Sequence, residues 1–268
     1  MRNRTKAAES ALGRQAYGMT MRDAFLMSVA VLSVGIADTA SAADWYTGAE
    51  PVVLEENWTT AVDASVAVTS NSSAFGSVTG TMATEGTLLE SGPRIRVEGV
   101  AGTYSYPGRD VGKRVTGYQQ EGALSGGYEW IWRDAALAGF IGFNVRSNQL
   151  SIVDPGNPVV GTGVGAKVAA NFYARPTENT MFSAYGSYST QFNAYYARVR
   201  LGYMVADGVY VGPEALFLGD NFFNQYRIGG HVTGFSFGPI KMAVGVGYVK
   251  DRIQGSGYYS TVEARTAF

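Results

Sequence analysis

The chain of 268 residues has no cysteine. That single absence excludes disulfides, thiol nucleophiles, cysteine-ligated metals and acylation at a lipoprotein cysteine. Histidine is nearly absent too: His231 is the only one, which leaves a transition-metal site short of nitrogen ligands. Charged residues make up 16% of the chain and the net charge is −1. No basic field is available to hold nucleic acid. Beyond residue 43 no apolar run approaches the roughly 20 residues that a membrane-spanning helix needs. No cofactor is expected from this inventory.

The N-terminal region carries the one long apolar stretch, residues 24–37, preceded by Arg22 and followed by the small-residue triplet Ala40-Ser41-Ala42. This is the pattern of a secretory signal peptide over residues 1–42, with a mature domain over 43–268. The run is too short for a comfortable membrane anchor. The segment before Met19 is long for a leader, and a start at Met19 or Met21 would leave one of ordinary length.

What the chain has instead is glycine (35 residues), aromatic side chains (13%) and a two-residue rhythm. Over residues 195–205, Tyr195, Ala197, Val199, Leu201, Tyr203 and Val205 share one parity, while Tyr196, Arg198, Arg200 and Gly202 share the other. Arginines against lipid are costly, whereas apolar residues with a tyrosine near each end suit a membrane face and its aromatic girdles. The same segregation recurs. Ile95 and Val97 oppose Arg94, Arg96 and Glu98; Trp130 and Trp132 oppose Glu129; Val164 and Val168 oppose Lys167; Tyr226 and Ile228 oppose Arg227 and His231; Val262 and Phe268 oppose Glu263 and Arg265. Segments near 76–89, 180–190 and 208–219 alternate less cleanly. A soluble β-sandwich would carry polar residues on the face that is apolar here.

Links between the strands alternate in length. Short turns fall at 90–93, 133–134, 176–179, 206–208 and 238–239, and longer or more polar links at 70–74, 107–113, 147–161, 191–193, 219–224 and 250–257. Short periplasmic turns alternating with longer outer loops define a transmembrane antiparallel up-and-down β-barrel of the Gram-negative outer membrane. The count is twelve strands, with ten to fourteen compatible, and both termini periplasmic.

On this parity the lumen receives an ionic set: Arg94, Arg96, Glu98, Glu121, Glu129, Arg146, Lys167, Arg175, Arg198, Arg200, Glu214, Arg227, His231, Glu263 and Arg265. Such groups either cross-brace the strands or line a water-filled path. Twelve strands lie between closed eight-stranded barrels and open sixteen-stranded ones, so both states remain open. Tyr104, Tyr106, Tyr196 and Tyr210, with Phe222 and Phe223, are candidate sugar-stacking faces. Glu214 and Arg227, on neighbouring strands, are expected to form an interior ion pair.

Catalysis has little to work with. A Ser–His lipid hydrolase would have to use His231, whose same-face neighbours are Arg227, Gly229 and Thr233, and the Gly-x-Ser-x-Gly elbow is absent. Two of Glu98, Glu121, Glu129 and Glu214 could meet as a glycosidase pair, though interior basic partners are the simpler expectation. The chain therefore reads as a non-enzyme.

Several blocks, in order, resemble a known family: Gly92-Pro93-Arg94-Ile95-Arg96-Val97-Glu98-Gly99, then Asp154-Pro155-Gly156-Asn157, then Tyr195-Tyr196-Ala197-Arg198-Val199-Arg200-Leu201-Gly202-Tyr203, then Tyr210-Val211-Gly212-Pro213-Glu214-Ala215, then Gln225-Tyr226-Arg227-Ile228-Gly229-Gly230-His231. Across about 90–268 the chain is similar to the cellulose biosynthesis protein BcsS family. The resemblance implies an accessory of bacterial cellulose synthesis that is not itself the synthase, with cellulose, the synthase and export machinery, and outer-membrane lipid as partners and no nucleic acid. The expected role is support of glucan export or its surface organisation. A general porin or adhesion barrel, or a barrel enzyme acting on outer-membrane lipid or glycan, are the alternatives.

Overall fold

Because side chains alternate across a strand, segregating charge on one parity builds a sheet with one charged and one apolar face. Such a sheet is satisfied by curling until the charged face is enclosed. The computed structural model describes residues 58–268; the leader and the start of the mature domain lie outside the described residues. Twelve antiparallel strands close into a barrel in which each pairs with its neighbours in sequence and β1 pairs with β12. They are β1 (Thr60–Thr69), β2 (Ser73–Ala83), β3 (Gly92–Gly108), β4 (Lys113–Ile131), β5 (Ala135–Leu150), β6 (Gly161–Thr177), β7 (Thr180–Ser189), β8 (Ala194–Ala206), β9 (Val209–Gly219), β10 (Asn224–Phe237), β11 (Ile240–Asp251) and β12 (Gly255–Ala267). The seam runs from Ala61 opposite Ala267 to Thr69 opposite Tyr259.

The two faces follow the expected parity. Ile141 and Phe143 are 70% exposed and Val164 is 68% exposed on the outside, while Arg94, Arg96 and Arg200 are fully buried inside. This inverts the arrangement of a soluble protein and suits a lipid surround. Tyr128, Trp130, Trp132 and Tyr203 ring the short-turn end of the outer face, and Tyr118, Tyr188, Tyr195, Tyr226, Tyr248 and Tyr258 ring the loop end.

The first third departs from the sequence reading. The strand expected near 76–89 begins at Ser73 and stops at Ala83, and the link to β3 spans 84–91 instead of a four-residue turn at 90–93. The reason is a tertiary anchor. Leu88 donates its backbone N–H to the Trp58 carbonyl (2.8 Å) and packs with Trp58, Ala61, Ala83 and Ala267. Arg94 holds the same link, donating to the carbonyls of Glu90 (2.5 Å) and Thr87 (3.4 Å). A second cluster, Tyr173, Met181 and Tyr210, packs at the turn end of β6, β7 and β9.

Strands β3 to β6 have 16–19 residues, against the roughly 9–11 that span a bilayer. Ser73 pairs with Tyr104 and Lys167 with Ser189, so the surplus of β3 and β6 lies at the loop end. There these strands form a wall rising beside the mouth.

Candidate functional site

Two ionic braces cross the lumen. On one side β8 places Arg200 directly opposite Glu214 of β9. The Arg200 Nε donates to Glu214 (2.7 Å), and its two terminal nitrogens donate to Glu263 of β12 (3.0 Å each). Arg198 also donates to Glu263, and Tyr259 donates its hydroxyl to Glu214 (2.8 Å). Strands β8 and β12 lie four positions apart in the ring, so Glu263 ties together separate parts of the wall. On the other side Lys167 of β6 donates to Glu98 of β3 and to Glu121 of β4 (3.0 Å). Arg146 of β5 lies 3.8 Å from both Glu121 and Asp220. Nearer the turn end, Arg94 pairs with Glu129 (2.8 Å). The Arg96 guanidinium lies 3.7 Å above the Phe140 ring, a stacking that a planar cation favours.

The expected Glu214–Arg227 pair is not the one made. The register sets Arg227 opposite Leu216 and Glu214 opposite Gly229. Glu214 instead goes to Arg200, and Arg227 donates to Gln225 (2.7 Å) above the Tyr259 ring. Sequence reasoning also missed two acids. Asp63 on β1 pairs with Arg265 (3.3 Å), and Asp220 in the β9–β10 link faces Arg146. Asp63 was concealed because β1 is rich in Ala, Ser and Val and carries no other charge.

His231 has a structural assignment. Pro213 stands opposite Leu201, where the β8–β9 ladder is interrupted between Arg200–Glu214 and Tyr203–Val211. Proline has no N–H to offer the Leu201 carbonyl. His231, on β10, supplies the missing donor from Nε2 (3.0 Å), and its Nδ1 then accepts from the Thr233 hydroxyl (3.0 Å). A carbonyl only accepts, so this contact fixes the tautomer. The imidazole reaches across Gly212, its direct partner on β9. A Cβ on Gly212 would stand 1.9 Å from the Leu201 oxygen. Gly245 likewise clears space for Glu214, whose Oε1 lies 2.1 Å from where a Cβ would be.

Each glutamate of the possible glycosidase pairs faces a base: Glu98 and Glu121 share Lys167, Glu129 meets Arg94, and Glu214 meets Arg200. Among the described residues, no three His, Asp or Glu side chains group as metal ligands.

A cavity of about 370 Å³ runs from the loop end down to Asp63, Thr79 and Ala264, near the turn ends of β1, β2 and β12. Its floor includes Glu98, Lys167, Arg198 and Glu263 of the two braces, and its lining reaches neither the Trp58 cluster nor Tyr173, Met181 and Tyr210. Of the sugar-stacking candidates, Tyr104, Tyr106, Tyr196, Phe222 and Phe223 line it. Tyr210 does not, being fully buried at the turn end.

One side of the mouth is closed by the link at 151–160. The Tyr106 hydroxyl donates to Asp154 (2.8 Å) and accepts from Asn157 (3.0 Å). Asn148 holds the Tyr104 hydroxyl (2.7 Å) and the Val159 carbonyl. Tyr106 packs on Phe222 at 5.0 Å and is 2% exposed. The Asp-Pro-Gly-Asn block therefore folds inward onto the tall wall instead of standing free.

No curated protein matches the chain. Among solved structures it is similar to a KdgM porin (10% identity, TM-score 0.45, covering 78% of this chain and 99% of the porin). It is also similar to LpxR from Salmonella typhimurium (10%, 0.43, 78% and 100%) and to the Acinetobacter baumannii outer membrane protein Omp33 (14%, 0.36, 79% and 98%). At these identities the likeness is one of fold. The sequence profile of the cellulose biosynthesis protein BcsS family matches residues 63–268, starting at Asp63 and so well before the Gly-Pro-Arg block from which the resemblance was first legible. Its ordered blocks supply the tall wall, the inward loop and the Arg–Glu–His interior, and the chain belongs to this cellulose biosynthesis protein family.

Proposed function

We propose that the protein is a non-enzymatic accessory of cellulose synthesis that organises the glucan at the cell surface and does not conduct it. The barrel lies in the outer membrane of a Gram-negative cell with both termini periplasmic, and the links at 70–72, 109–112, 151–160, 190–193, 220–223 and 252–254 face outward. The observation that carries this reading is the braced lumen. A glucan in transit needs a continuous wet path, but Arg198 and Arg200 bridge to Glu263 across the interior and two buried side-chain clusters sit at the turn end. The larger cavity reaches the loop residues Asn71, Phe222, Phe223 and Gln254. Interior charges engaged with one another, and a histidine engaged with backbone, support the non-enzymatic part.

The test is extracellular cellulose in a strain lacking the gene, after the barrel has been located in the outer membrane of the parent. The expected result is cellulose that reaches the medium but is poorly retained or disordered at the surface. Glucan trapped behind the outer membrane would instead favour a conduit. Cellulose unchanged in amount, location and order would overturn the reading.

A further inference from the structure

The larger interior cavity is space that the ionic braces leave free. Its volume, about 370 Å³, is within the range of small-molecule sites. Its lining includes the aromatic side chains of Tyr196, Phe222 and Phe223 and the neutral amides of Gln119 and Gln254. The mouth is held in shape from several sides. Asp220 accepts from the backbone N–H groups of Phe222 (2.9 Å) and Phe223 (3.0 Å). Asp251 does the same for Ile253 (2.7 Å) and Gln254 (2.6 Å), and Gln254 in turn donates to the Asn71 carbonyl (2.6 Å). A rim fixed in advance loses little entropy when a ligand arrives.

The floor charges Lys167, Glu98, Arg198 and Glu263 are engaged with one another, and the lining as a whole holds more carboxylates than bases, so the site offers an anion no net attraction. A hydroxyl donates and accepts, so a hydroxyl-rich neutral molecule serves the amides of Gln119 and Gln254, and its apolar ring face suits the aromatic residues.

We propose that this cavity binds the end of a neutral oligosaccharide, namely a β-linked glucan segment stacked on Phe222 and Tyr196 with its hydroxyls turned toward the amides of Gln119 and Gln254. The site rests on the surface-organising reading above and gives it a point of attachment.

The experiment is isothermal titration of the purified full barrel in amine-oxide micelles, whose headgroup is not a sugar, with cellohexaose. Maltohexaose and hexagalacturonate serve as comparison ligands. Saturable binding of cellohexaose is expected, at least tenfold tighter than that of hexagalacturonate. Replacing Phe222→Ala and Phe223→Ala together should weaken it at least tenfold. Ala67→Phe, which fills the cavity from β1, should abolish it while the protein keeps the gel mobility of a folded barrel. No saturable heat with cellohexaose, preference for the anionic ligand, or unchanged binding in folded Ala67→Phe would each overturn the site. The two proposals fail separately. Loss of surface order in the deletion strain without binding in vitro removes the site and keeps the reading, and binding in vitro with normal cellulose in the deletion strain does the reverse.

Discussion

Replacing Arg200→Met tests whether the interior is held by its ionic braces. The guanidinium is fully buried and serves Glu214 and Glu263 together. Methionine keeps most of the volume and removes the charge. Removing one partner of a buried pair costs about 3–5 kcal/mol. Each carboxylate here keeps a second partner, since Glu263 retains Arg198 and Glu214 retains the Tyr259 hydroxyl, so the loss belongs at the low end, about 3 kcal/mol. For a folding unit of this size each kcal/mol moves the melting temperature by about 2–4 °C, which gives a fall of about 6–12 °C. The assay is heat modifiability, in which folded and unfolded barrel separate on a detergent gel after incubation at rising temperature. Adding Glu214→Gln to Arg200→Met should recover part of the loss, because the carboxylate left with only the Tyr259 hydroxyl is then neutral, whereas Glu263 stays charged to hold Arg198. A fall of under about 2 °C, or no recovery in the double variant, would refute the reasoning.

His231→Ala should leave the Leu201 carbonyl without a donor and cost about 1–3 kcal/mol in the same assay, while the lipid and glycan profile of the outer membrane, read by mass spectrometry, stays unchanged. Gly212→Ala should be worse, yielding little folded band, because its Cβ would stand 1.9 Å from the Leu201 oxygen. Tyr106→Phe removes the hydroxyl that holds Asp154 and Asn157; the link at 151–160 should become protease-sensitive with a stability loss of about 1–2 kcal/mol. Leu201→Arg puts a charge on the outer face and should lower stability of folding into lipid vesicles by about 2–4 kcal/mol, and a neutral outcome would mean that this face does not meet lipid.

Strand parity was legible because arginine and glutamate fall on one parity from Arg94 to Arg265, and lipid permits no other reading of that pattern. The pairings were not legible. Glu214 and Arg227 share parity on adjacent strands, but parity carries no register, and register depends on link geometry such as the 84–91 segment pinned by Leu88 against Trp58. The inward fold of Asp154-Pro155-Gly156-Asn157 was likewise hidden, because a turn-forming block says where the chain bends and nothing about what it bends onto. The Gly212-Pro213 and His231 blocks were visible as motifs, and only the ladder gap at Leu201 explains why they occur together. Among the stacking candidates, Tyr196 and Tyr210 cannot be told apart by alternation, since both point inward. Height along the barrel, which sets Tyr196 at the cavity and Tyr210 at the turn end, is a property of the closed cylinder.

The seam between β1 and β12 has a consequence for assembly. Every other pairing joins strands adjacent in the chain, so eleven hairpin contacts can zip locally, whereas the seam closes a ring of about 200 residues at an entropic cost on the order of 5 kcal/mol. The strand that closes it also delivers Glu263 to Arg198 and Arg200, Tyr259 to Glu214, and Arg265 to Asp63. Until β12 arrives, those arginines and carboxylates face one another incompletely inside an open sheet. Closure of the ring therefore also completes the ionic partners of Arg198 and Asp63, which no earlier strand supplies.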